Sequence, residues 1–193
     1  VAKVRIEAPV KGESHRKTAT PRTYSRARLS LTLLSRLNAV SPLEADPADI
    51  AVALRLPAGI GIQSGSAILS LSAERADTGA RSTAAYTLAS QVAADGSRIY
   101  AVAQSDWDAF RAQQAMINGW ESEAPDDTNG SLSVALGGCR TATAVAPDAT
   151  LDISIRTEEG GSFLPLVRQA KLARVFNITG ITELPPCDQS RAM

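Results

Sequence analysis

Histidine, cysteine and aromatic residues are scarce in this 193-residue chain, and their scarcity excludes several kinds of chemistry. The one histidine, His15, stands in a basic stretch between Ser14 and Arg16, with no acid or nucleophile placed to work with it. A Ser-His-Asp or Cys-His catalytic arrangement is therefore disfavoured, because its histidine must be held by hydrogen-bond partners. Zinc, copper and non-haem iron sites draw on several His or Cys side chains, so we expect no catalytic metal and no cofactor.

Long apolar runs are also missing, and aromatic residues make up only 4% of the chain. No window approaches 18 consecutive apolar residues, so we expect no transmembrane helix, and no signal peptide is recognisable at Val1. A core with few aromatic residues must be built from Ala, Val, Leu and Ile, which suits strands packed face to face. The same scarcity disfavours a large aromatic ligand cavity.

The chain has no net charge, but its charges are unevenly distributed. Residues 1–36 carry nine Lys or Arg against two acids, and the remaining residues carry eleven against eighteen. The basic stretch predicts contact with something anionic, such as lipid headgroups, glycan phosphates or nucleic acid. Nucleic acid is the least favoured of these, because Tyr24 is the only aromatic residue there. The alternative is a solvated tail. The candidate anion contacts are Lys11, Arg16, Lys17 and Arg22.

Two cysteines, Cys139 and Cys187, stand 48 positions apart and show no CxxC spacing. Neither a redox motif nor a zinc site fits this pattern, and a disulfide between them is the simplest interpretation. Such a bond implies an oxidising compartment, which for this chain predicts a periplasmic or extracellular location. Two buried free thiols in a cytosolic protein remain the alternative.

Alternating apolar and polar residues recur along the chain and predict strands that are buried on one face. The clearest sets lie at Leu29, Leu31 and Leu33; at Ile50, Val52, Leu54 and Leu56; at Leu132, Val134 and Leu136; and at Leu151, Ile153 and Ile155. An edge strand is predicted at residues 1–7 and a closing strand at residues 171–176. We therefore expect one all-β domain over residues 1–193, an immunoglobulin-like sandwich of mainly antiparallel strands with a basic flexible segment at about 8–25.

A hairpin and one helix occupy the middle of the chain. Asp95-Gly96 between two strand-like runs is a strong hairpin signal. The helix is predicted over residues 106–118, with Ser105 or Asp106 as its cap and Asn118-Gly119 as its end.

One side of that helix carries its large apolar residues, among them Trp107, Phe110 and Trp120. Packing of this side onto the sheet is the favoured interpretation, and a partly exposed face that binds a partner is the alternative.

Few carboxylates are arranged for chemistry. Asp126, Asp127 and Asn129 are a weak calcium candidate, because the regular ligand spacing and the bidentate Glu of a calcium loop are missing. Asp106 and Asp108 are better explained as favourable charges at the helix start than as a catalytic pair.

We therefore expect a non-enzymatic binding or structural accessory module of a bacterial envelope or secreted system, with another protein or an envelope component as its partner. A bacterial source is suggested by abundant Ala, Arg and Leu with few Lys. The alternative function is a hydrolase that uses loop carboxylates at one end of the sandwich. Two acids of raised pKa in a deep pocket would favour the hydrolase, and a flat surface would favour the binding module.

Overall fold

The structure, a computed structural model, describes residues 3–10, 42–93, 95–142, 145–146, 148–178 and 180–187, the first of these ranges by its backbone alone. These residues form nine strands: β1 Lys3–Val10, β2 Ala51–Arg55, β3 Ile60–Ile62, β4 Ile68–Arg75, β5 Arg81–Val92, β6 Arg98–Val102, β7 Thr128–Arg140, β8 Thr150–Arg156 and β9 Leu164–Lys171. They also form the helices α1, Trp107–Glu123, and α2, Leu172–Phe176. Single 3-10 turns cover Gln104–Asp106 and Ile181–Glu183.

The described strands pair antiparallel in one curled sheet of order β1-β7-β4-β5-β6-β2-β8-β9, with β3 paired to the far end of β7. Strand β5 joins the two halves of the sheet, because its residues 81–87 pair with β4 while its residues 88–92 pair with β6. The prediction of a mainly antiparallel β fold is confirmed. The sheet passes without a break from one half of the molecule to the other.

One hydrophobic core fills the inner face of this sheet. Val52 and Leu54 of β2 and Leu151, Ile153 and Ile155 of β8 are each at most 2% exposed. The third predicted set, Leu132, Val134 and Leu136 of β7, joins the same cluster. The period-two pattern therefore predicts the inward residues correctly, because successive side chains of a strand point to opposite faces. The set at Leu29, Leu31 and Leu33 lies outside the described residues.

The hairpin predicted around Asp95-Gly96 joins β5 to β6. Gly96 has φ 79°, a left-handed conformation that glycine adopts without steric cost. One Asp95 carboxylate oxygen accepts hydrogen bonds from the Ser97 backbone N–H, at 3.0 Å, and from the Ser97 hydroxyl, at 2.6 Å. Both turn residues thus behave as their local chemistry predicts.

The helix α1 begins where it was predicted to begin but ends five residues later. Asp106 stands at the cap position, yet its side chain forms no capping hydrogen bond. The prediction that Asn118-Gly119 ends the helix is wrong, because Asn118 is held in the helix by a hydrogen bond from its side-chain amide to the Leu43 carbonyl, at 3.3 Å. The helix ends instead after the Trp120 carbonyl accepts from the Ala124 backbone and, at 3.0 Å, from the Thr128 hydroxyl.

The closing strand predicted at residues 171–176 is also wrong, since Lys171 ends β9 and α2 follows it. A strand there would have pointed Leu172, Arg174 and Phe176 to one face and buried the arginine. In the helix Leu172 and Phe176 are buried while Arg174 stays exposed. Asn177 then ends α2 in a left-handed conformation.

The two ends of the described chain are held by β7. The edge strand predicted at residues 1–7 is present as β1, which runs to Val10 and therefore takes up the first residues of the basic segment predicted at 8–25. Residues 11–25 of that segment lie outside the described residues. At the other end, the backbones of Cys187 and Pro185 hydrogen-bond to Arg140, the last residue of β7.

Candidate functional site

A concave surface in the described part of the chain forms a groove with a volume of about 950 Å³, which falls within the range of about 300–1,000 Å³ for small-molecule sites. It lies across β6, β2, β8 and β9. We call it the open-face groove and define it by Ala53, Arg55, Asp95, Asp152, Phe163 and Arg168.

The groove has a shallow floor because the strands beneath it alternate small residues with core residues. Ala53 of β2 and Ser154 of β8 are paired neighbours in the sheet and line the groove. Their chain neighbours Leu54 and Ile153 point the other way, into the core. Since Ala and Ser project little above the sheet, the longer side chains at the groove's ends form its walls.

Asp95 is one of two acids in the open-face groove, and it is ionised. It accepts the two hydrogen bonds from Ser97, and it forms a 3.2 Å ion pair with Arg55. The hydrogen bonds from Ser97, helped by the Arg55 guanidinium, hold the pKa of Asp95 below its ordinary value. A carboxyl group in this state cannot serve as a general acid near neutral pH.

Asp152, the second acid, has a structural contact of its own. One of its carboxylate oxygens accepts a hydrogen bond of 2.7 Å from the backbone N–H of Gln169. Gln169 has φ 47°, and the pairing of β8 with β9 shifts register beside it. The carboxylate thus satisfies a backbone donor where the ladder between the two strands is irregular.

The remaining groups of the groove are a cation and an aromatic ring. Arg168 is exposed, and within the described residues no carboxylate lies within ion-pair distance of it. Phe163 is half-buried, and the Arg156 guanidinium stands 5.3 Å from the centre of its ring. The groove therefore offers a charged hydrogen-bond donor and an apolar surface, together with two carboxylates that already accept hydrogen bonds from the protein.

The apolar side of α1 packs on the sheet. Phe110 is fully buried, with its ring centre 4.9 Å from that of Tyr86. Trp107 is half-buried and donates from its indole N–H to the Val102 carbonyl at 3.2 Å, and Trp120 is likewise half-buried against the core. Of the three residues proposed as a partner face, Phe110 is thus not accessible to a partner, because the sheet covers it.

The other acids singled out in the sequence lie apart from the groove. Asp126, Asp127 and Asn129 are all exposed around the turn between α1 and β7. Over the residues that the structure describes, no group of three or more His, Cys, Asp or Glu side chains could hold a metal ion. Asp108 lies 3.4 Å from Arg111 on the same helix, as a solvated ion pair. The calcium site stays a prediction.

The predicted disulfide is confirmed. Cys139, fully buried at the end of β7, is bonded to Cys187, with Cα atoms 4.9 Å apart. The bond fixes the C-terminal segment to the sheet, and disulfides persist mainly in oxidising compartments.

The candidate anion contacts Lys11, Arg16, Lys17 and Arg22 lie outside the described residues, as does His15. No helix among the described residues is long and apolar enough to cross a membrane.

The open-face groove itself was not predicted from the sequence. Alternation in β2 and β8 marks Ala53 and Ser154 as outward positions, but it does not show that these strands are neighbours. Asp95 was recognised only as a turn residue. Since the groove is assembled from strands that are up to about a hundred positions apart in the chain, no local pattern could reveal it.

Compared with known proteins, the chain matches no family model, and neither a curated protein nor a solved structure matches it.

Proposed function

We propose that the protein is a non-enzymatic binding module of an oxidising compartment, and that the open-face groove holds its partner. The observation that carries the proposal is the state of the two groove acids. Asp95 is engaged by Ser97 and Arg55, and Asp152 by the Gln169 backbone. Both carboxylates therefore have structural contacts, and the groove is left with features that suit binding: an Arg168 without an ion-pair partner in the described part of the chain, a half-buried Phe163 and a floor of small residues.

The alternative, a hydrolase with loop carboxylates, would need an acid of raised pKa inside a cavity. Burial, and secondarily the charge of Glu44, raise the pKa of Glu121. However, Glu121 lies near the end of α1 and is not among the residues that line the groove. The one carboxyl of raised pKa among the described residues thus lies outside the open-face groove, which favours binding over hydrolysis.

The form of the groove favours a chain-like partner. It crosses four strands, and its floor is shallow enough for a segment of another protein or a polymer of the cell envelope to lie along it. Exposed Arg168 can pair with a carboxylate or phosphate of such a chain, and Phe163 offers it apolar contact. We further propose that the two halves of the curled sheet, which meet at β5, act as the two layers of an immunoglobulin-like sandwich, because inward residues from both halves share one core.

The location is proposed on the disulfide. Cys139 and Cys187 bond to each other, which supports a periplasmic or extracellular site of action in a bacterium. Alkylation without reductant, followed by mass measurement of protein taken directly from its cells, tests this. We expect no label on either cysteine. Labelling of both thiols would contradict the proposed compartment.

Peptide and glycan panels test the binding function, with variants that fill the groove. Ala53→Trp places a large side chain on the groove floor, and Ala85→Trp places the same side chain at an exposed β5 position that does not line the groove. We expect Ala53→Trp to lose binding and Ala85→Trp to keep it, with the bound molecule recovered intact. Equal binding by both variants would show that the groove is not the binding surface. Cleavage of the bound molecule that Asp95→Asn abolishes would support the hydrolase instead.

A further inference from the structure

A second, smaller cavity lies beside the disulfide and belongs to a different part of the sheet. Its volume is about 560 Å³. We call it the disulfide cavity and define it by Ser64, Thr87, Arg98, Tyr100, Thr141 and Cys187. Within the described part of the chain, the two cavities share no lining residue: Ser97 and Ile99 line the open-face groove, whereas their chain neighbours Arg98 and Tyr100 line the disulfide cavity.

The cavity forms where the inner face of the β5–β6 hairpin continues past the core. Tyr100 and Val102 of β6 are inward residues of the core, and Arg98 follows them on the same face. Arg98 is exposed, and its neighbour across the ladder, Val92, is 66% exposed. Beyond Tyr100, the inner face of β6 therefore ends in the accessible side chain of Arg98.

Tyr100 is a buried residue whose hydroxyl has no partner among the described residues. Its side chain is only 4% exposed. The comparable hydroxyl of Tyr86 donates to the Ala109 carbonyl at 3.1 Å, whereas the described residues supply no such acceptor to Tyr100. On the cavity wall, the Tyr100 hydroxyl is therefore a donor that can serve a ligand.

The cavity is rich in hydrogen-bond donors and has no anion. No acidic side chain is found among the described residues that line it. In the same part of the chain, no carboxylate lies within ion-pair distance of Arg98. Burial raises the pKa of the Tyr100 hydroxyl against an opposing effect of the Arg98 charge, so the hydroxyl keeps its proton and remains a donor at neutral pH. Hydroxyls of Ser64, Thr87 and Thr141 add further donors.

We propose that the disulfide cavity binds the carboxylate group of a small ligand, with Arg98 and Tyr100 as its principal contacts. The planar guanidinium presents parallel N–H donors that match the two oxygens of a carboxylate, and the tyrosine hydroxyl supplies a further donor. Arg98 is the one cationic side chain among the described residues that line the cavity, which suits a group of single negative charge. The volume is in the range of cavities that hold small molecules.

The disulfide gives this cavity a fixed wall. A Cβ atom added at Gly61 would lie 2.9 Å from the Cys187 sulfur, so the β3 backbone packs directly against the bond. Because Cys187 also lines the cavity, reduction of the bond would release one wall. Carboxylate binding is therefore a property of the oxidised protein.

Isothermal titration calorimetry on the oxidised full chain tests the proposal with two carboxylate sources. N-acetylalanine represents a peptide terminus and glucuronate a sugar acid, and N-acetylalanine amide and glucose are their neutral counterparts. We expect at least one of the acids to bind, and its neutral counterpart to bind about tenfold more weakly or worse, as the loss of a charged hydrogen bond predicts. The acid that binds identifies the source.

Three variants locate the site. Arg98→Gln should weaken binding of the acid about tenfold, and Tyr100→Phe, which keeps the ring, should weaken it several-fold. Arg174→Gln, which removes an exposed arginine on α2, should leave it unchanged. Melting temperatures confirm that each variant is folded.

The proposal is overturned if neither acid binds below about 10 mM, which corresponds to a negligible affinity. It is equally overturned if the neutral counterparts bind as well as the acids, or if Arg98→Gln and Arg174→Gln behave alike. None of the three substitutions changes a residue that lines the open-face groove, so binding of a partner in that groove should not change.

Discussion

The ring of Phe176 packs directly onto the backbone of Gly138. A Cβ atom added at Gly138 would lie 2.7 Å from Cε1 of that ring, closer than atoms in van der Waals contact approach. Phe176 is fully buried, so the ring cannot swing aside into solvent. The absence of a side chain at position 138 is therefore what allows α2 to lie against β7.

Alanine at Gly138 should consequently destabilise the protein. Gly138→Ala forces the buried ring or β7 to move, and we expect a loss of about 1–3 kcal/mol in the free energy of unfolding, as overpacked cores show. Gly119→Ala is the matched control, because nothing lies within 4 Å of its added Cβ in α1. There alanine should stabilise the helix by about 0.5–1 kcal/mol. Denaturant unfolding measures both, and a neutral Gly138→Ala would contradict the close packing.

Three kinds of sequence signal were sufficient to predict parts of this fold. Period-two alternation identified the inward residues of β2, β7 and β8, because the pattern depends only on which face is buried. Asp95-Gly96 identified the β5–β6 turn, because a left-handed glycine is a local requirement. The disulfide followed from cysteine counting.

Features set by contacts between distant segments could not be predicted. Asn118-Gly119 resembles a helix end, but the Leu43 carbonyl, 75 positions away, holds Asn118 in the helix. Residues 171–176 are mostly apolar, as a buried strand would be, yet they form a helix in which Phe176 packs on Gly138. Both candidate sites are assembled in the same way from strands that are distant in the chain, so no local pattern predicts them.

Truncation of Phe110 tests whether the apolar side of α1 serves the core. Phe110 is fully buried against Tyr86, so Phe110→Ala should cost about 3–5 kcal/mol of unfolding free energy. Ala115→Ser, at an exposed position of the same helix, should change stability by no more than about 0.5 kcal/mol. An unchanged melting temperature in Phe110→Ala would mean that this face of the helix is open to a partner.

Neighbouring positions in β8 should respond oppositely to a charge. Ile153 is fully buried, so Ile153→Asp places an unpaired carboxylate in the core and should abolish folding. Ser154 lies on the floor of the open-face groove, where Ser154→Asp should change stability by no more than about 0.5 kcal/mol. Circular dichroism and denaturant unfolding distinguish the two. Equal tolerance at both positions would refute the assignment of the inner and outer faces.

Glu121 should make stability fall as the pH rises. Burial raises its pKa above the ordinary value of 4.5, with a further contribution from Glu44. The folded state therefore holds this proton more tightly than the unfolded chain does, so the contribution of Glu121 to stability is present below about pH 4.5 and is lost as the pH rises through the folded pKa. One Glu121 carboxylate oxygen is buried without a partner among the described residues.

Replacing this acid by its neutral amide should remove the effect. We expect Glu121→Gln to raise the melting temperature at pH 7 by more than at pH 4, because only the ionised form is disfavoured. Glu159→Gln, at an exposed position, serves as the control and should shift the melting temperature equally at both values. A Glu121→Gln variant that is less stable at pH 7 than the unmodified protein would refute the explanation by burial.

Site-specific photocrosslinking in the cells that produce the protein tests the central claim, that the open-face groove holds the partner, most directly. A benzophenone amino acid at position 53 stands on the groove floor, and the same group at position 85 stands on exposed β5. We predict that irradiation joins the protein to a defined partner from position 53 and not from position 85. The same adduct from position 85, or none from position 53, would contradict the account.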